Sequence, residues 1–170
     1  ESASNYLEKF LSHYRGKTFV KDAHQKLSLH YYMLHNFPKS NLHREQIFSA
    51  GSKITDADKQ ALRFAEINFY PAVPVLEARL LTDGGYYKQA LAKLQNVDIR
   101  SLNMTDKLEC YFRLARIYDE IDQDEKAAEF YRTTINLGRT RREHFAARSA
   151  LQLGLMYERL GRIQDALKAY

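Results

Sequence analysis

The chain has 170 residues, 45% hydrophobic and 28% charged, with a net charge of +5 and only 7 Gly and 3 Pro. That balance excludes a disordered chain, and the scarcity of turn residues excludes an all-β protein of this size, so helices are expected. The longest apolar runs are a few residues, such as Ala72-Val73 and Val75-Leu76 around Pro74. None approaches the roughly 20 apolar residues of a membrane-spanning helix. There are 12 Tyr, 9 Phe and no Trp. Tyrosine packs its ring while keeping its hydroxyl near water, which suits helices that border a groove.

In chain order, residues 1–70 read as irregular helical hairpins, with helices expected over residues 4–14, 18–36, 41–50 and 56–69. Tyr6, Leu7, Phe10, Leu11 and Tyr14 have helical spacing, and Arg15-Gly16-Lys17 is a turn. The segment Phe19-x-x-Asp22-Ala23-x-x-Lys26-Leu27 reads as the second helix of a degenerate repeat, ended before Pro38. Asp56-Ala57-Asp58 opens a helix with acid at its positive end. Pro71 and Pro74 then break the chain. The chain starts Glu1-Ser2-Ala3-Ser4 without methionine, as a processed chain would, so a removed signal or lipid anchor is compatible with it.

Five of the six histidines fall in this first part: His13, His24, His30, His35 and His43. A metal-binding helix face needs two histidines three or four residues apart. The spacings here are 11, 6, 5 and 8, so no metal site is expected, nor any cofactor. The single cysteine, Cys110, has no partner for a disulfide and reads as a small buried residue, which leaves cytoplasmic and periplasmic compartments equally open.

From residue 71 the sequence repeats. Around Gly154 stand Ala150, Leu153, Tyr157, Ala166 and Tyr170, at −4, −1, +3, +12 and +16. Around Ala115 the same offsets give Tyr111, Leu114, Tyr118, Ala127 and Tyr131. A weaker copy around Ala78 gives Pro74, Glu77, Leu81, Ala90 and Leu94. A small anchor lets two helices approach closely, and the small residue at +12 receives a ring from the facing helix. Gly85 and Gly161 fall where a positive φ is useful, and Asp122-Gln123-Asp124 stands there in the middle copy, where it would cap the next helix.

The run Leu153-Gly154-x-x-Tyr157-x-x-x-Gly161-x-x-x-x-Ala166 resembles the signature of the tetratricopeptide repeat (TPR), a helix–turn–helix unit of about 34 residues. The anchors are 37 and 39 residues apart, so each unit is a little longer than the standard one. The likeness covers residues 71–170, with units over 71–107, 108–146 and an incomplete 147–170. Residues 1–70 have a faint likeness to the lead-in of large bacterial proteins of this family. The resemblance implies an all-α, α-α superhelix of stacked hairpins and a non-catalytic protein- or peptide-binding scaffold. Tyr170 falls inside the second helix of the last unit, so a continuation, or a partner covering that end, is expected.

By register, the family's inner groove would be lined by Arg79, Phe112, Arg113, Arg116, Asp119, Arg148, Gln152, Leu155 and Glu158, with Thr82, Glu109 and Leu151 beside them. The chaperone-binding branch grips a carboxylate with a Lys/Asn set. Val75, Arg79, Phe112 and Arg116 stand at those positions, so that ligand is not expected. Basic residues gather at 13–46 and at 139–148, but the second patch is short, lacks interleaved aromatics and includes Glu143, which argues against nucleic acid. No phosphate loop, nucleophile elbow or zinc-protease motif occurs, so no enzyme activity is expected. The rival expectations are self-association, tested at Leu167 and Tyr170, and capture of an anionic ligand by the basic first part.

Overall fold

The computed structural model describes residues 3–170; Glu1 and Ser2, which open the chain, lie outside the described residues. The fold is all-α, with no strand among the described residues. The chain divides into two compact units, Glu1–Tyr70 and Pro71–Tyr170. No helix among the described residues is long and apolar enough to cross a membrane.

The first unit holds α1 (Ala3–His13), α2 (Val20–Met33), α3 (Phe37–Ser49) and α4 (Asp56–Ile67). α2 and α3 form a hairpin, α4 packs on both, and α1 packs on α2. The second unit holds α5 (Val73–Asp83), α6 (Tyr87–Gln95), a 3₁₀ turn (Ile99–Ser101), α7 (Met104–Glu120), α8 (Asp124–Gly138), α9 (Phe145–Arg159) and α10 (Ile163–Ala169). Its hairpins are α5–α6, α7–α8 and α9–α10, and α7 and α9 each pack on the hairpin before them.

One turn closes all four hairpins. The residue after the helix takes a left-handed conformation at His35 (φ 56°), Gly85 (79°), Asp122 (56°) and Gly161 (71°). Each of these donates its N–H to the carbonyl three residues back, at Tyr32, Thr82, Asp119 and Glu158. The following N–H reaches back five residues, to Tyr31, Leu81, Tyr118 and Tyr157. This is the Schellman motif, which satisfies carbonyls a helix end leaves free. The middle turn corrects an expectation: Asp122 supplies the left-handed residue, and the N-cap, Gln123, makes no side-chain capping bond.

The shared turn exposes a fourth copy of the repeat. Ser28 precedes His35 by the same interval that separates Ala78, Ala115 and Gly154 from their turns. Leu27-Ser28-x-x-Tyr31 therefore matches Leu153-Gly154-x-x-Tyr157, and Ser40 falls at +12. So the segment around Asp22-Ala23 belongs to a first helix, where a second helix was expected. α3 also begins earlier than expected, because Pro38 sits in its first turn, where a missing N–H costs nothing, and Asn36 Oδ1 accepts from the Lys39 N–H at 3.3 Å.

In each hairpin the anchor and the residue twelve later are small and buried: Ser28 and Ser40, Ala78 and Ala90, Ala115 and Ala127, Gly154 and Ala166. The serine pair is polar, so it is bonded: Ser28 Oγ donates to the Ser40 carbonyl (2.9 Å) and Ser40 Oγ to the Ser28 carbonyl (2.8 Å). At +16 the second unit has Leu94, Tyr131 and Tyr170; a Cβ on Gly154 would come within 2.3 Å of the Tyr170 ring. The first unit has Arg44 there instead. Tyr70 takes over the role, with its hydroxyl 2.8 Å from Ser28 Oγ and 3.0 Å from Ser40 Oγ, and the Arg44 guanidinium lies over its ring.

A buried carboxylate joins α4 to the start of α2, and another joins α7 to the start of α5. Asp58, in the first turn of α4, accepts from the N–H groups of Phe19 (2.7 Å), Lys21 (3.0 Å) and Asp22 (3.3 Å) at the start of α2, and from the Thr55 hydroxyl (2.6 Å). Burial would raise its carboxyl, but these donors overcome that and hold it below its usual value. Asp106, in the first turn of α7, accepts from the Ala72 N–H at 3.0 Å, at the start of α5. Having fewer donors, it is raised by burial. From the same start of α2, the buried Lys21 ammonium donates to the last carbonyls of α3, those of Ile47 and Phe48.

Asp58→Ala leaves three helix-start N–H groups without an acceptor and should lower unfolding free energy by about 2–3 kcal/mol. Asp58→Asn, which keeps one acceptor oxygen, should cost less. Urea unfolding checks the order; equal stability of both variants with the native chain would contradict it.

Candidate functional site

The face of the second unit that could hold a partner is formed by α5, α7 and α9. The structure sorts the residues expected there into three groups. Phe112 is 4% exposed and packs on Phe145 (ring centroids 5.7 Å apart), so it belongs to the core and does not line an open groove. Thr82 is also buried, its hydroxyl donating to the Ala78 carbonyl.

A second group is tied into a polar floor. Glu109, 2% exposed, receives Arg79 in a two-pronged bond and Arg113 at 3.4 Å. Arg113 also reaches Asp83 at 2.6 Å. Arg116 pairs with Glu120 (2.8 Å) and touches Gln152 (3.4 Å), which links α7 to α9. Asp119 accepts from the Tyr131 hydroxyl (3.0 Å) and from Arg159 (2.8 Å), and Arg159 also binds Asp124 (2.9 Å). The arginines of this floor are therefore matched by its own acids. Burial would lower Arg79, but its bond to Glu109 keeps it above its usual value and firmly charged.

The third group is open. Arg148, Leu151, Leu155 and Glu158 recur at helical intervals along one face of α9, all exposed. Leu151 and Leu155 are 49% and 46% exposed, although both are large and apolar. Arg148 makes no ion pair among the described residues, nor do the neighbouring Arg139 and Arg142, whereas Arg141 binds Glu143 (2.7 Å). His144, at the start of α9, is lowered by burial and then by Arg148, so it is neutral near pH 7. Gln152 stands between the floor and this stripe.

The chemistry of the core is quiet. The Cys110 thiol is pushed up to about 12, first by burial and then by Glu109 and Asp106, so no thiolate forms near neutrality. A cavity of about 310 Å³ between α8, α9 and α10 is lined by Arg132, Tyr157, Asp165 and Lys168 over Ile135 and Leu153. Arg132 donates to the Tyr157 hydroxyl, and Asp165 is held below its usual value by Arg162.

The first unit gathers a different set. His24 on α2 and His43 on α3 lie with their Nδ1 atoms 3.0 Å apart. The His43 ring stacks on Tyr31 (5.6 Å, 6°), and the Tyr31 hydroxyl donates to Glu8 on α1. Spacing along one helix could not reveal this pair, because it forms across the hairpin. The signal in the sequence is the hairpin register set by Ser28 and Ser40.

No family model matches the chain, and no curated protein or solved structure was found similar to it.

His24 is lowered from 6.5 to about 4 by burial, then by His43 and Lys21; His43 is lowered by burial against an opposing effect of Glu8. A base whose folded pKa lies below its unfolded one takes up protons on unfolding, so its share of stability is full above pH 6.5 and is lost as pH falls toward 4. The thermal midpoint should fall across that window, and less steeply in His24→Asn. Parallel curves for the variant and the native chain would contradict this.

Proposed function

We propose that the chain is a non-catalytic scaffold of the tetratricopeptide type that holds a protein or peptide segment on the face of α5, α7 and α9. The observation that carries this reading is the exposed pair Leu151 and Leu155, on a helix whose neighbours have satisfied their polar groups internally. Large apolar side chains standing together beside a floor of paired charges mark a contact site. The ion pairs hold the surrounding side chains in place before anything binds, so less side-chain freedom is lost on association. Gln152 and Arg148 offer donors on either side of the apolar pair. The repeat register and the close helix crossings support the family likeness, and the family's usual role supports the binding reading.

A second reading has its own observation. On α10, Ile163, Leu167 and Tyr170 are 54%, 65% and 57% exposed. Such a face would serve self-association. Molecular mass that rises with concentration, and stops rising in Leu167→Ser/Tyr170→Ser, would favour it.

For the main reading, peptides selected from a random display library against the full chain provide the probe. Their affinity should fall about tenfold or more, at least 1.4 kcal/mol, in Leu151→Ser/Leu155→Ser. Both side chains are exposed, so the fold should be unaffected. Peptides that bind this variant as tightly as the native chain would move the site elsewhere.

A further inference from the structure

We propose that His24 and His43 are a two-point chelate for a borderline divalent metal ion of the Zn²⁺ and Cu²⁺ class. The argument starts from the bite. Imidazole nitrogens bind such ions at about 2.0–2.1 Å, which at the angles of a square or tetrahedral shell places two donors about 3 Å apart. The two Nδ1 atoms stand at 3.0 Å, on two different helices, with ring centroids 5.3 Å apart and the planes tilted by 38°. On binding, the His24 ring would turn to bring its Nδ1 lone pair onto a point shared with that of His43.

The metal-free arrangement needs one ring to carry its proton on Nδ1 and donate it to the other. On binding, that proton leaves to solvent and Nε2 of the same ring takes one up. Both rings stay neutral, each now presents Nδ1 to the ion, and no net proton is released. Both histidines are partly exposed, so an ion reaches them from solvent. His43 is held in orientation by its stack on Tyr31.

The groups around the pair set its strength. From α1, Glu8 favours a cation, its charge acting on His43 while it accepts from Tyr31. From α2, Lys21 opposes one, although its ammonium is turned to the Ile47 and Phe48 carbonyls. From α3, Lys39 opposes one, with its ammonium over the Tyr31 ring at 4.8 Å. No third His, Cys, Asp or Glu among the described residues completes a cluster, so water fills the remaining positions. Two imidazoles in a mixed field bind more weakly than the three or four protein ligands of an ordinary zinc site, and the bound ion would staple α2 to α3.

Titration calorimetry with ZnCl₂ on the untagged full chain at pH 7.5 tests this. One equivalent should bind, and either His24→Ala or His43→Ala should weaken it about tenfold or more, since a single imidazole is no chelate. His13→Ala should bind as the native chain does. No binding by the native chain, or binding that survives in both variants, would overturn the proposal. Should either variant lose its helical circular dichroism, a Zn²⁺ titration of the native chain followed by NMR decides: the His24 and His43 ring signals should shift together and before those of the other histidines, and any other order would overturn it.

Discussion

A carboxylate held against the open start of the preceding first helix is the interaction on which the stacking of hairpins depends. The first N–H groups of a helix have no partner within it, and burying them unpaired would be costly. Asp58 takes three such groups at the start of α2, and Asp106 takes one at the start of α5. Each acid sits in the first turn of its helix, α4 or α7, three residues after a polar N-cap, Thr55 or Asn103. At the third junction Glu143, just before α9, accepts instead from the Thr105 hydroxyl near the start of α7. Asp58 and Asp106 thus bond the N-cap side chain of their own helix while accepting from the start of an earlier one. Order is passed from neighbour to neighbour within each unit, as in other repeat proteins.

Much of this was legible in the sequence. The three anchors Ala78, Ala115 and Gly154 lie on first helices, and Gly85 and Gly161 take the positive φ their place required. The register of the fourth hairpin was hidden because each of its markers is replaced by a residue that does the same job differently. Serine stands for alanine at both crossing positions, and its hydroxyls bond across the gap. His35 stands for the turn glycine. Arg44 stands for the aromatic, and Tyr70 supplies the ring from 26 residues further on. A pattern search sees only residue types, whereas the packing needs only small volume, a positive φ and a satisfied hydroxyl.

The candidate site was legible to a lesser degree, for a related reason. Register places a residue on a face, but the neighbours decide whether it remains available there. Arg148, Leu155 and Glu158 are as open as their register implies. Phe112 is covered by Phe145, and Arg79 of α5 and Arg113 of α7 are drawn onto Glu109, a buried acid on α7. Those pairings make the floor nearly neutral and rigid. Leu151 and Leu155 are then the feature that sets this face apart from an ordinary solvated surface. The His24–His43 pair shows the same limit, since two residues with no shared helix spacing meet only once the hairpin is closed.

The measurement that tests the stacking account most directly is residue-resolved amide hydrogen exchange on the native chain. First-turn amides of a helix ordinarily exchange fast, because nothing in the helix accepts from them. If the carboxylates bind the helix starts, the amides of Lys21, Asp22 and Ala72 exchange slowly, alongside the core of their own unit, while those of Ala146 and Ala147 in the uncapped first turn of α9 exchange fast. Fast exchange at Lys21, Asp22 and Ala72 alike would contradict it.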